Sequence, residues 1–154
     1  MSSETRTTPW QASPAIHAHS RPASNPDGDS LTNLQEYAFG TDPTVSSSGP
    51  ITYASNVLTG YGPPEVSNFA GGPNGVDYRM VFCRRKNPAS LGLTYTAEFS
   101  VDFTTWSPNS VIPTLLATDA AGVMEVVSVP YPFFIVTVRG VEKPTFSHVK
   151  VESN

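Results

Sequence analysis

The chain of 154 residues has one cysteine, Cys83, so no intrachain disulfide can form. Secreted domains often use disulfides but do not need them, so the compartment stays open. Cys83 reads as a reactive thiol or as a small buried strand residue, and the second reading is preferred. Charged residues are also scarce, at 14% against roughly 25% in an average soluble domain. No apolar run approaches the ~18–20 residues that a membrane-spanning helix needs. The N-terminus shows neither the charged stretch nor the apolar run of a signal peptide. Two expectations follow: a piece of a longer secreted precursor, or a cytosolic protein. There are only three histidines, His17, His19 and His148, which restricts nucleophilic and metal chemistry.

What is abundant is proline, 15 residues, with 11 glycines. Prolines fall between apolar runs, leaving 51–62, 74–87, 89–107, 114–129 and 133–143 free of them. Central strands exclude proline, which has no N–H for the ladder, so this spacing outlines strands. In Leu93–Val101, Leu93, Tyr95, Ala97, Phe99 and Val101 alternate with Thr94, Thr96, Glu98 and Ser100, the period of a half-buried strand. Tyr78, Met80 and Phe82 alternate with Asp77, Arg79 and Val81 before it, and the intervening RRKNPASLG reads as a hairpin connection. Further strands are expected at Val111–Ala117, Val123–Val129, Phe133–Arg139 and Phe146–Val151. The run Phe134–Val138, apolar on both faces, predicts a central strand. Short strands at intervals of about ten residues point to a mainly β fold, an immunoglobulin-like antiparallel β-sandwich over 51–154. Ahead of it, residues 1–24 read as a disordered or loosely packed tail and 44–50 as a linker.

The net charge of −4 is localised. Residues 25–43 hold Asp27, Asp29, Glu36 and Asp42 with no Lys or Arg, while nine acidic and nine basic residues balance elsewhere. Clustered carboxylates without local cations repel one another, and a bound cation relieves that cost. No basic patch suited to nucleic acid stands out, since Arg84-Arg85-Lys86 reads as a solvated hairpin end. A His17-x-His19 pair in a floppy tail makes a poor metal site.

Numbered as a twelve-residue loop, 25–36 places side-chain oxygens at positions 1 (Asn25), 3 (Asp27), 5 (Asp29), 9 (Asn33) and 12 (Glu36), with the Leu31 carbonyl at 7. This is the ligand spacing of an EF-hand calcium loop, and it suits a hard cation wanting six to eight oxygens at ~2.3–2.6 Å. Thr32-x-x-Gln35 forms a capping box, so a helix of about eight residues should start near 32, with Gly40 just past its end. Leu34, Tyr37 and Phe39 would dock it on the β-domain. Asn25 lacks the charge of the usual Asp, and Ser30 stands where Gly normally makes the sharp turn. Pro14, Pro22 and Pro26 leave no helix before the loop. Affinity is therefore expected near the ~10⁻⁴–10⁻³ M of extracellular modules.

Asp27–Pro43 resembles the DxDGDGLSNLxEYxxGTDP segment of large secreted and surface proteins of environmental bacteria, related to thrombospondin type 3 and EF-hand-like calcium repeats. Leu93–Trp106 is similar to the LTYTVEVSxDLxxWT strand pair in C-terminal β-modules of such proteins. The resemblance implies the C-terminal end of a larger secreted or cell-surface protein. Calcium would make a rigid joint to upstream modules, and the catalytic or adhesive work would lie upstream. A second reading is a carbohydrate-binding module, with a surface polysaccharide as partner, using Trp10, Trp106, Tyr53, Tyr61 or Tyr131. A third is a small hydrolase. No Gly-x-Ser-x-Gly elbow is present, and Glu65, Asp77, Glu98, Asp102, Asp119 and Glu125 are too scattered to select a catalytic pair.

Overall fold

The computed structural model describes residues 21–46, 49–71, 77–132 and 146–154. One helix, α1 (Asn33–Phe39), precedes the strands β1 (Thr52–Ala54), β2 (Val57–Gly60), β3 (Glu65–Phe69), β4 (Asp77–Arg85), β5 (Leu93–Ser100), β6 (Ser107–Pro108), β7 (Thr114–Asp119), β8 (Met124–Pro130) and β9 (Phe146–Ser153). The protein is mainly β, as the sequence predicts. The described strands make a six-stranded sheet ordered β1-β2-β7-β8-β4-β3 and a three-stranded sheet ordered β6-β5-β9.

The fully antiparallel expectation needs correction. β2 runs parallel to β7, with Val57 opposite Thr118 and Leu58 opposite Asp119. Ser55 and Asn56, both at positive φ, turn β1 tightly back into β2, the conformation that matches strand twist in two-residue hairpins. That hairpin then lies against the C-terminal end of β7, and the larger sheet is mixed.

The hairpin read between β4 and β5 is also corrected, because these strands belong to different sheets. Pro88–Leu91 forms a 3₁₀ turn flanked by Asn87 and Gly92, both left-handed. Two reversals of this kind carry the chain from one layer to the other. The strand expected at Val111–Ala117 begins instead at Thr114, beyond Pro113. The expected Phe133–Arg139 strand lies outside the described residues.

Two apolar clusters hold the layers. Leu31, Phe39, Met80, Phe82, Ala97, Phe99, Val127, Val129 and Val149 fill the space between the sheets, with Tyr95 and Tyr131 packed against them. Ile51, Leu58, Val81, Cys83, Ala117, Met124 and Val126 fill the other side of the larger sheet. Consequently Met80–Cys83 of β4 and Met124–Val129 of β8 are buried on both faces. The half-buried alternation expected in β4 therefore ends at Met80. Cys83 is fully buried, and desolvation pushes its thiol up to about 12, which makes it inert packing. Among the described residues, no helix is long and apolar enough to cross a membrane.

Candidate metal centre

Helix α1 forms for local reasons. Gln35 N donates to Thr32 Oγ1 at 3.4 Å, and Thr32 N donates to Gln35 Oε1 at 3.0 Å, closing the capping box. Upstream carbonyls satisfy two more free amides: Asn33 N donates to Ser24 O and Leu34 N to Pro22 O. At the other end Gly40 is left-handed, and its N–H donates to Glu36 O. Glycine supplies that conformation without a Cβ penalty. Seven residues make a helix too short to persist alone. Tertiary contacts hold it, through Phe39 in the inter-sheet core and through two side chains that reach its last carbonyls. Arg85 Nε donates to Tyr37 O at 2.9 Å, and Tyr95 Oη donates to Ala38 O at 2.8 Å.

The fixed helix sets Glu36 against the preceding loop. Asp27, Asp29 and Glu36 each bring a carboxylate oxygen within 4.8 Å of the others, a group able to hold a metal ion. Glu36 is 0% exposed. Among the described residues, neither Oε1 nor Oε2 of Glu36 has a hydrogen-bond partner, and Asp27 Oδ2 is likewise buried without one. Burial first, then the charges of Asp27, Asp29 and Asp42, push the Glu36 carboxyl up to about 7. A buried carboxylate with two unmet oxygens beside other carboxylates is costly unless a cation joins them. The donor set is all oxygen, which suits a hard divalent ion.

The other expected ligands, Asn25, Leu31 and Asn33, make these contacts. Asn25 is exposed; its Oδ1 accepts from Gly28 N at 2.9 Å and its amide nitrogen donates to Asp29 O, so it braces the loop. Leu31 buries its side chain in the inter-sheet core, and its N–H donates to Asp29 Oδ1 at 2.6 Å. Asn33 is buried at the start of α1, donating from Nδ2 to Arg21 O at 3.2 Å. The sharp turn falls at Gly28, with φ 75°, and Ser30 has no positive φ. The loop therefore bends two residues earlier than in an EF-hand, at its available glycine.

Several side chains acquire roles that spacing did not reveal. Arg84 is half-buried and pairs with Glu125 at 2.7 Å. Arg85 anchors α1 and lies over the Tyr37 ring at 4.3 Å. Asp42 accepts from Thr44 N and Oγ1, and these bonds lower its pKa. Of the aromatics considered for sugar binding, Tyr53 and Tyr131 pack on the cores. Tyr61 donates to Asp119 at 3.1 Å, and Trp106 leans on His148 with ring centroids 4.0 Å apart. Trp10, His17 and His19 lie outside the described residues. Compared with known proteins, the chain matches no family model, no curated protein and no solved structure.

Proposed function

We propose that the chain is a non-catalytic structural or interaction module stabilised by one calcium ion, belonging to the C-terminal end of a larger secreted or surface protein. The observation that supports it most is Glu36, fully buried with both carboxylate oxygens unmet, facing Asp27 and Asp29. Calcium accepts carboxylates in mono- or bidentate fashion, so three of them can furnish up to six oxygens, with backbone carbonyls completing the shell. Glu36 would close the site from α1, and Asp27 and Asp29 would hold it from the loop. Asn33 and the Leu31 carbonyl are the further donors the spacing nominates.

Binding would convert electrostatic repulsion into order at the junction between α1 and the two sheets, so binding energy becomes folding energy. The joint would then fix what precedes residue 25 relative to the β-domain, which suits a partner that is an upstream module.

Thermal melts of chelator-treated protein test this directly. At calcium tenfold to a hundredfold above Kd, stability should rise by about 1–3 kcal/mol, a Tm increase of roughly 5 °C. Asp29→Ala should abolish the increase. An unchanged Tm in wild-type protein would reject the calcium module.

A further inference from the structure

The outer face of the three-stranded sheet ends in a group of rings. Phe103, between β5 and β6, has φ 62°, a region that a bulky L-residue enters only under constraint. The constraint is Asp102, whose Oδ1 accepts from Thr104 N at 2.9 Å, Thr105 N at 2.8 Å and Ser100 Oγ at 3.0 Å. Strain of this kind usually serves packing or function. Here the ring it positions is 62% exposed.

Phe146 of β9 backs the Phe103 ring, with centroids 3.5 Å apart and planes 28° from parallel. Trp106 stands edge-on to Phe103 at 6.4 Å and leans on His148 at 4.0 Å. His148 Nε2 lies 2.7 Å from Glu98 Oε2. Cross-strand pairing sets Ser100 opposite Phe146, Glu98 opposite His148 and Thr96 opposite Lys150. Their neighbours Phe99, Ala97 and Val149 point into the core, so these residues share the outward face. Aromatic surface thus passes directly into a row of hydrogen-bonding groups.

Three classes of occupant can be compared. Protein interfaces are depleted of charge at their centre, yet Glu98, His148, Lys150 and Glu152 run along this face. Nucleic acid needs cations for its phosphates, and here Asp102, Glu98 and Glu152 offset Lys150. A pyranose has the matching division: an apolar C–H face that packs on a ring, and a rim of hydroxyls that need donors and acceptors. A β-linked chain with equatorial hydroxyls is flat and can follow a sheet. We propose that Phe103 and Trp106, backed by Phe146 and bordered by Glu98, His148 and Thr96, bind a neutral β-linked polysaccharide.

The test is calorimetric titration of the full chain with cellohexaose and with xylohexaose, for wild type and two variants. Phe103→Gly suits φ 62°, so its Tm should equal or exceed that of wild type while affinity falls by about tenfold or more. Phe103→Leu keeps an apolar cover over Phe146 but has no flat face, and it should lose affinity similarly with little change in Tm. Failure of both hexasaccharides to bind wild type would overturn the proposal. Unchanged affinity in either variant would do the same. So would concentration-dependent dimerisation of wild type, abolished by Phe103→Gly, without saccharide binding, which would assign the rings to a protein contact.

Discussion

The hydroxyl of Tyr95 donates to the carbonyl of Ala38 at 2.8 Å and accepts from Arg85 N at 3.1 Å. One side chain of the smaller sheet therefore closes the end of α1 and also ties it to β4 of the larger sheet. Its ring lies against Phe39 and Phe82, with centroids 6.4 and 6.2 Å away. Burial pushes this phenol up to about 12, so it remains a donor at neutral pH. The helix that carries Glu36 is thus positioned by residues far from it in sequence.

Tyr95→Phe keeps the ring and removes both hydrogen bonds, leaving buried backbone groups unmet. The expected loss is about 1–3 kcal/mol, read as a lower urea midpoint with an unchanged m-value. A midpoint equal to wild type would mean that the hydroxyl contributes nothing to docking α1.

Gly40→Ala should be more damaging than an ordinary surface substitution. Gly40 has φ 82°, and an added Cβ would sit 2.8 Å from Met124 Cε and 3.2 Å from Tyr61 Cδ1. Left-handed strain and the clash together should cost about 1–3 kcal/mol, measurable by thermal or urea unfolding. Wild-type stability in this variant would contradict the tight closure of the helix end.

The helix was legible in the sequence because its determinants are local. Thr32 and Gln35 cap the start, Gly40 terminates the end, and the observed Asn33–Phe39 agrees closely with the expectation. β5 was legible too, since its alternation reflects one sheet face. Strand pairing was not legible. That β2 meets β7 in parallel, and that β4 and β5 part into separate sheets, depends on contacts across long sequence separations. In the site, carboxylate spacing identified Asp27, Asp29 and Glu36 as a group. The burial of Glu36 depends on the core that Phe39 and Leu31 join, which no spacing encodes. Asn25 turned inward on its own loop because its amide offers both a donor and an acceptor to nearby backbone.

Without calcium, Glu36 should make the protein less stable as pH rises. Its folded pKa of about 7 lies above the ordinary 4.5. Between these values the native state holds a proton that the unfolded state has lost, so stability falls from pH 4.5 to 7 and levels off above. The shift corresponds to about 3 kcal/mol. Saturating calcium should remove this decline, and calcium affinity should weaken below pH 7 as protons compete. Urea midpoints at pH 5, 6, 7 and 8, with chelator or calcium, check both; an equal decline in both conditions would refute the linkage.

Glu36→Gln separates the charge from the shape. Near pH 8 the variant should be more stable than wild type in chelator, by about 1–3 kcal/mol, because no isolated charge is buried. It should gain nothing from calcium. A calcium-dependent Tm shift as large as that of wild type would remove Glu36 from the site.

The most direct measurement is isothermal titration of chelator-treated protein with calcium at pH 7.5, alongside Asp29→Ala. One site per chain, lost in the variant, is the predicted result. Absence of binding heat in wild type, with no calcium effect on its melt, would contradict the calcium joint.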